Sequence, residues 1–149
     1  MLKNLGSKEK KLLLKQLESQ YNFSGRLDYN FFINPDKKIF ILNSGLQVDF
    51  TKIRINSLGL YFASLEPELR LTIEGSQIIG PSSDKNILEI NDNELQDWMH
   101  GKDLSVDMES KKDFNGFVLI KNKKDFYGSG KYKQEKVLNY IPKERRLKN

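Results

Sequence analysis

No cysteine occurs in the 149 residues of this chain, and histidine occurs once, as His100. The first absence removes disulfides, thiolate metal sites and any cysteine nucleophile. The second removes multi-histidine metal sites and motifs of the H-E-x-x-H kind. A Ser-His-Asp triad would have to run through His100, yet no serine stands in a G-x-S-x-G elbow. No catalytic residue, metal or cofactor is therefore expected. Apolar runs are short as well: nothing approaches the ~20 residues needed to cross a bilayer, and Met1 to Lys15 holds no apolar stretch of signal-peptide length. A cytoplasmic chain with no membrane partner is the expectation.

What is present is charge, and it is sorted along the chain. The net charge is +5, by itself a mild hint of a polyanionic partner. Lys121 to Asn149 carries ten basic residues against three acidic ones, whereas Asp84 to Asp113 carries nine carboxylates against four lysines. A smaller basic cluster, Lys3, Lys8, Lys10, Lys11 and Lys15, meets only Glu9.

Apolar spacing predicts a helix over Ser7–Gln20, with Leu13, Leu17 and Tyr21 on one face, Lys8, Lys11 and Lys15 opposite, and Ser7 as N-cap. Asp28–Ile33 and Lys38–Asn43 read as a hairpin around Asn34-Pro35-Asp36-Lys37. Leu58 to Ile73 reads as a second hairpin broken at Glu66-Pro67-Glu68, in which Leu69, Leu71 and Ile73 alternate with polar residues. Gly80-Pro81-Ser82-Ser83-Asp84 is the expected linker, because a Gly-Pro step followed by small polar residues favours neither helix nor strand. Two small units follow from that boundary, 1–84 and 85–149. In the second, Asn86–Ile90 reads as a strand, and Asn91 with Glu94 as the capping box of a helix that buries Leu95, Trp98 and Met99. Gly101 suits a left-handed C-terminal cap. Lys102–Asn115 reads as polar loop, and Gly116–Lys121, Phe126–Tyr132 and Lys136–Ile141 as three strands.

Gly128-Ser129-Gly130-Lys131 is similar to the end of a phosphate-binding loop. That motif needs glycine where Asp125 stands and Ser or Thr where Tyr132 stands, and it needs a helix to follow. A bulged or closely approached strand accounts better for the two glycines. His100 is better accounted for by bonding to the last carbonyls of its helix. The Glu66/Glu68 and Asp92/Glu94 carboxylates fall on a turn and a helix cap and read as solvated structural residues. The pattern that remains is Phe126–Arg146, where Phe126, Tyr127, Tyr132 and Tyr140 are interspersed with lysines and arginines. Cations meet phosphates and exposed aromatic faces stack unpaired bases. A lysine-rich solvated surface over an aromatic core accounts for the composition equally well.

A resemblance separates the two. Asn86–Tyr140 resembles a PUA domain: a strand, a helix ending in Trp98-Met99-His100-Gly101-Lys102-Asp103-Leu104, a G-F-V-L-I strand and the glycine-rich F-Y-G-S-G strand. Lys136–Arg146 resembles the ending of the PUA-like tails on Fmu/Sun-type rRNA cytosine-5 methyltransferases and of their stand-alone archaeal relatives. Arg54–Phe62 and Leu69–Gln77 resemble the pre-PUA segment of those proteins and, more distantly, of a eukaryotic large-subunit ribosome-biogenesis factor. The resemblance implies an α+β protein: an N-terminal pre-PUA α/β domain of helix and antiparallel strands, then a C-terminal PUA-like β pseudo-barrel. It also implies a part in rRNA or tRNA modification or processing. Catalysis is not implied, since those methyltransferases use a cysteine and a separate glycine-loop cofactor domain. By the same analogy RNA meets Gly101, Lys102 and Lys131 to Lys133, and the expected RNA-binding set is Gly101, Lys102, Lys121, Lys131, Lys133, Lys143, Arg145 and Arg146. The competing expectation is an interaction subunit that docks a separately encoded RNA methyltransferase or ribosome-assembly factor.

Overall fold

A computed structural model describes residues 2–43, 59–107 and 113–148. Thus Arg54–Ser57 of the pre-PUA resemblance, and Leu58 at the head of the second hairpin, lie outside the described residues. Among the described residues there are two five-stranded sheets: Lys3–Asn4, Tyr29–Ile33, Lys38–Asn43, Leu60–Ser64 and Arg70–Leu71 in that order, and Ile87–Glu89, Phe117–Asn122, Asp125–Lys133, Lys136–Asn139 and Leu104–Ser105 in that order.

The first helix, α1 (Ser7–Tyr21), buries Leu13, Leu17 and Tyr21 at intervals of four, as the spacing predicts. Its N-cap is Gly6 and not Ser7, with the Gly6 N–H donating to Glu9 Oε1 at 3.3 Å. Strands β2 (Tyr29–Ile33) and β3 (Lys38–Asn43) form the expected hairpin. Asn34 closes it by accepting from the Lys38 N–H at 2.9 Å through its side chain. β1 (Lys3–Asn4) extends this sheet beside β2.

The second hairpin is shorter than its alternating pattern suggests: β4 (Leu60–Ser64) pairs with β5, which is only Arg70–Leu71. From Ile73 the chain is helical instead, as α2 (Ile73–Ile79). Thr72 decides this. Its hydroxyl accepts from the Gly75 N–H at 3.0 Å, capping the helix, and itself donates to the Tyr61 carbonyl at 2.7 Å. Gly75 is required by close approach, since a Cβ there would lie 2.2 Å from the Phe62 carbonyl oxygen.

The expected linker is also structured. Gly80–Ser82 continues α2 as a 3-10 turn, tied to the first half by the Ser24 N–H donating to Ser82 O at 2.9 Å. Gly80 itself lies against the buried ring of Phe126 in the second sheet. The missing Cβ at the Gly-Pro step thus serves packing and not flexibility.

In the second sheet, β6 (Ile87–Glu89) runs parallel to β8 (Phe117–Asn122), while β8, β9 (Asp125–Lys133) and β10 (Lys136–Asn139) are antiparallel. Leu104–Ser105, expected as loop, forms β7 on the far edge beside β10. Helix α3 (Asp92–Met99) opens with the predicted capping box: Asn91 accepts from Glu94 N at 2.8 Å and Glu94 from Asn91 N at 2.9 Å. Trp98 is fully buried, and its indole N–H donates to Tyr127 O at 2.7 Å. Around it Val118, Ile120, Leu104 and Val137 make the core of a curled half-barrel.

The two sheets share their apolar interior. Leu119 and Phe126 from the second sheet join the cluster of Leu17, Tyr21, Ile39 and Phe62, and Ile73 from α2 joins the cluster around Trp98. Gly128, at φ +91°, bends β9 so that its N–H donates to the buried Ser76 hydroxyl at 2.8 Å. Ser129 follows by donating to Leu71 O at 2.8 Å. Gly130 admits Trp98 and β10, because a Cβ would stand 2.6 Å from the indole and 2.5 Å from Leu138 O. The glycine-rich strand is the closely approached strand expected from its sequence.

Candidate functional site

The expected basic residues fall into separate groups. One corner is built at the C-terminal end of α3. Gly101 is left-handed at φ +93°, its N–H donating to Trp98 O at 3.0 Å while the Lys102 N–H donates to Asp97 O at 3.0 Å. This is the double closure of a Schellman cap. His100 Nδ1 lies 2.7 Å from Gln96 O, the helix-end role expected of it. Arg146 covers Gly101 and donates from Nε to Ile141 O at 2.9 Å. Asn139 fastens the corner to β10, donating to Trp98 O at 2.8 Å and Lys102 O at 3.0 Å. Arg146, distant in sequence, is thus a neighbour of Gly101.

Lys121 and Lys131 are not neighbours of each other. In the β8–β9 ladder Lys121 stands opposite Phe126, and Lys131 stands opposite Phe117. Five residues of strand separate the two positions, roughly 16 Å at about 3.3 Å per residue. Lys121 meets Glu89 at 3.7 Å, and Lys131 meets Glu68 of the first half at 2.6 Å. The hydrogen bond that Lys131 donates to Glu68 raises the Lys131 pKa above the usual lysine value. Arg145 grips Glu74 through both carboxylate oxygens, at 3.2 and 2.8 Å. Burial alone would raise the Glu74 carboxyl, but the Arg145 bond, a backbone bond and the guanidinium charge together hold it below its ordinary value. Lys102 lies 3.5 Å from Asp97. Lys133 and Lys143 are exposed with no ionic partner among the described residues.

These pairs explain why charge counting along the sequence overstates the free charge. The carboxylates come from the turn at Glu68, from the first turn of α2 and from the acidic stretch around α3. Only the fold brings them to the basic strand and tail. The exposed pairs among these stabilise by about 0–1 kcal/mol, whereas the bidentate Arg145–Glu74 pair has a half-buried carboxylate.

Sequence reading missed a cleft between the two sheets, of about 220 Å³. Its cations include Lys38 on β3 and Arg70 on β5, neither in the basic C-terminal stretch, and Tyr61 and Tyr140 contribute aromatic faces. The Arg70 guanidinium lies 5.7 Å from the Tyr140 ring centroid, and Lys38 Nζ lies 5.5 Å from that of Tyr61. No signal in sequence spacing could have joined residues 38, 61, 70 and 140, because only the docking of the sheets does so. Among the described residues no cluster of His, Cys, Asp or Glu could hold a metal, and no helix is long and apolar enough to cross a membrane.

Residues 85–147 match the family described as the methyltransferase RsmF PUA domain. The fold is similar to that of a conserved PUA domain protein from Thermoplasma acidophilum, with a TM-score of 0.63 at 14% identity, covering 91% of this chain and 82% of that one. No curated protein sequence matches.

Proposed function

We propose, from the premise that this is a PUA-domain protein whose residues 85–147 resemble the tail of Sun-type methyltransferases, that the chain is a non-catalytic RNA-binding accessory in rRNA or tRNA modification or ribosome biogenesis. In this reading 1–84 is the pre-PUA unit and 85–149 the PUA unit, and structured RNA is held by shape and phosphate contacts. The observation that carries it is the PUA match itself, which takes in the basic stretch that begins at Lys121.

Lys133 and Lys143 supply charge already free to meet phosphate. At the Gly101–Lys102 corner, where Arg146 lies over Gly101, the cations of Lys102 and Arg146 meet the phosphate. Lys121, Lys131 and Arg145 join by exchanging a carboxylate for a phosphate oxygen. Each phosphate so neutralised releases counterions, which makes affinity depend steeply on salt.

Crosslinking the protein to cellular RNA and sequencing what is attached tests the proposal. Enrichment of discrete rRNA or tRNA segments is expected, and recovery of no RNA above background would refute it. One observation favours a second reading: Leu12 on α1 is 54% exposed beside an apolar hollow formed with Leu5, Leu13 and Leu65. There the first half docks a separately encoded RNA methyltransferase or assembly factor, and a partner retained after nuclease treatment would distinguish it.

A further inference from the structure

The cleft between the sheets is built unlike the rest of the basic surface. Its floor includes the apolar residues Leu71, Ile73 and Ile141, and its walls carry the two tyrosines. Tyr140 is 39% exposed, and its ring is fixed from behind by an edge-to-face contact with Phe117 at 5.0 Å. Arg70 lies over the same ring. An exposed aromatic face under a guanidinium is a stacking platform for a flat heterocycle. Tyr61 adds a hydrogen-bonding group without a partner: its hydroxyl is buried and bonds to nothing among the described residues. Buried polar groups are normally satisfied, so an unsatisfied one on a residue that lines a cleft calls for an explanation.

Size and charge narrow the occupant. A dry cavity of about 150 Å³ accepts benzene, whereas small-molecule and cofactor sites usually span ~300–1,000 Å³. At about 220 Å³ the cleft suits one nucleobase and is too small for a dinucleotide. Lys38 and Arg70 face it as cations, while Arg145 is engaged with Glu74 and the carboxylate of Glu144 also lines the cleft. That balance favours a single phosphodiester and opposes the dense charge of a di- or triphosphate.

Resting on the RNA-binding reading, we infer that this cleft receives one unpaired nucleotide of the bound RNA, its base against Tyr140, its edge read by the Tyr61 hydroxyl, and its phosphate facing Lys38 and Arg70. The chain would then distinguish RNA with an unpaired loop or bulge from a continuous duplex, using residues of both halves at once. Stacking on aromatic side chains is how proteins generally read single-stranded RNA.

The test compares the full chain with its Tyr140→Ala, Arg70→Ala and Tyr61→Phe variants. Affinities are measured at one salt concentration for a stem-loop RNA and for a blunt duplex of equal length, after melting curves confirm folding. Tyr140→Ala should weaken stem-loop binding about five- to 150-fold, the range for loss of one stacked base. Tyr61→Phe removes only an unpartnered hydroxyl and leaves folding intact, so it keeps the test valid if Tyr140→Ala unfolds; a loss of about two- to tenfold is expected. Duplex binding should change little in both. Unchanged stem-loop affinity in all three variants would overturn the inference while leaving RNA binding in place. Failure of the unaltered chain to bind either RNA would overturn both. Uridine or adenosine monophosphate should compete only weakly, and a monophosphate that binds more tightly than the stem-loop would assign the cleft to a free nucleotide instead.

Discussion

Gly80→Ala sets two effects of opposite sign against each other. Gly80 has right-handed helical angles, φ −54° and ψ −48°. In such a conformation alanine is favoured over glycine by roughly 0.4–1 kcal/mol, through lower chain entropy in the unfolded state. If the Gly-Pro segment were an open linker, that gain would be all that is seen. In the folded chain, however, a Cβ at position 80 would stand 2.5–2.6 Å from three ring carbons of Phe126. Carbon atoms rest about 3.5–4.0 Å apart, so the ring would have to retreat by about 1 Å. Phe126 is only 3% exposed and belongs to the core shared by both halves, which leaves it little room. Overpacking of this kind costs about 1–3 kcal/mol. The steric cost therefore exceeds the entropic gain, and a net loss of about 1–2 kcal/mol is expected. Urea unfolding followed by Trp98 fluorescence and far-ultraviolet circular dichroism measures it. With a slope of about 2 kcal/mol/M the midpoint should fall by roughly 0.5–1 M. Adding Phe126→Leu should return part of the loss, giving a coupling energy beyond additive behaviour. A midpoint equal to or above that of the unaltered protein would refute the packing of the two halves across this contact.

Tyr21→Phe should stabilise the fold by about 1 kcal/mol. The Tyr21 side chain is fully buried and its hydroxyl has no partner among the described residues, so its removal relieves an uncompensated desolvation. Burial pushes the phenol pKa up, and the nearby Glu68 charge pushes it the same way. A loss of more than 1 kcal/mol in chemical denaturation would show that the hydroxyl is bonded in solution. Glu74→Gln should destabilise the protein more at pH 6.5 than at pH 3. The folded-state carboxyl pKa lies below its ordinary value, so the stabilisation is complete above the unfolded pKa of about 4.3 and vanishes as pH falls through the folded one. An equal difference in urea midpoint at both pH values would contradict the Arg145 pair. Asn139→Ala should cost about 1–3 kcal/mol, since it removes the bonds to Trp98 O, Lys102 O and the Ile141 N–H together. A change under 0.5 kcal/mol in the same assay would argue against the corner at Gly101.

The elements most readable in the sequence were those fixed by local rules. The four-residue spacing of Leu13, Leu17 and Tyr21, the turn at Asn34, the Asn91–Glu94 capping box and the left-handed Gly101 each depend on neighbours within a few positions. Helix α2 was hidden because it is seven residues long, holds Gly75 and Ser76, and begins where an alternating run invites a strand. Its start depends on Thr72 bonding to β4, a contact between separate elements. The same applies to β7, two residues that become a strand only beside β10. For the site, composition identified which stretch is basic but could not reveal that Glu68 and Glu74 come to meet Lys131 and Arg145. Nor could it join Lys38, Tyr61 and Arg70 to Tyr140, because residues from β3, β4 and β5 reach Tyr140 only through the docking of one sheet on the other.

The most direct test of the RNA-binding account is the salt dependence of affinity for a structured rRNA or tRNA fragment. With about five phosphates neutralised, the logarithm of affinity should fall against the logarithm of salt with a slope of about −3.5 to −4.5, and a Lys133→Ala, Lys143→Ala double variant should flatten it by about 1–2 without lowering the melting temperature. Binding that does not vary with salt, or a slope that the double variant leaves unchanged, would contradict it.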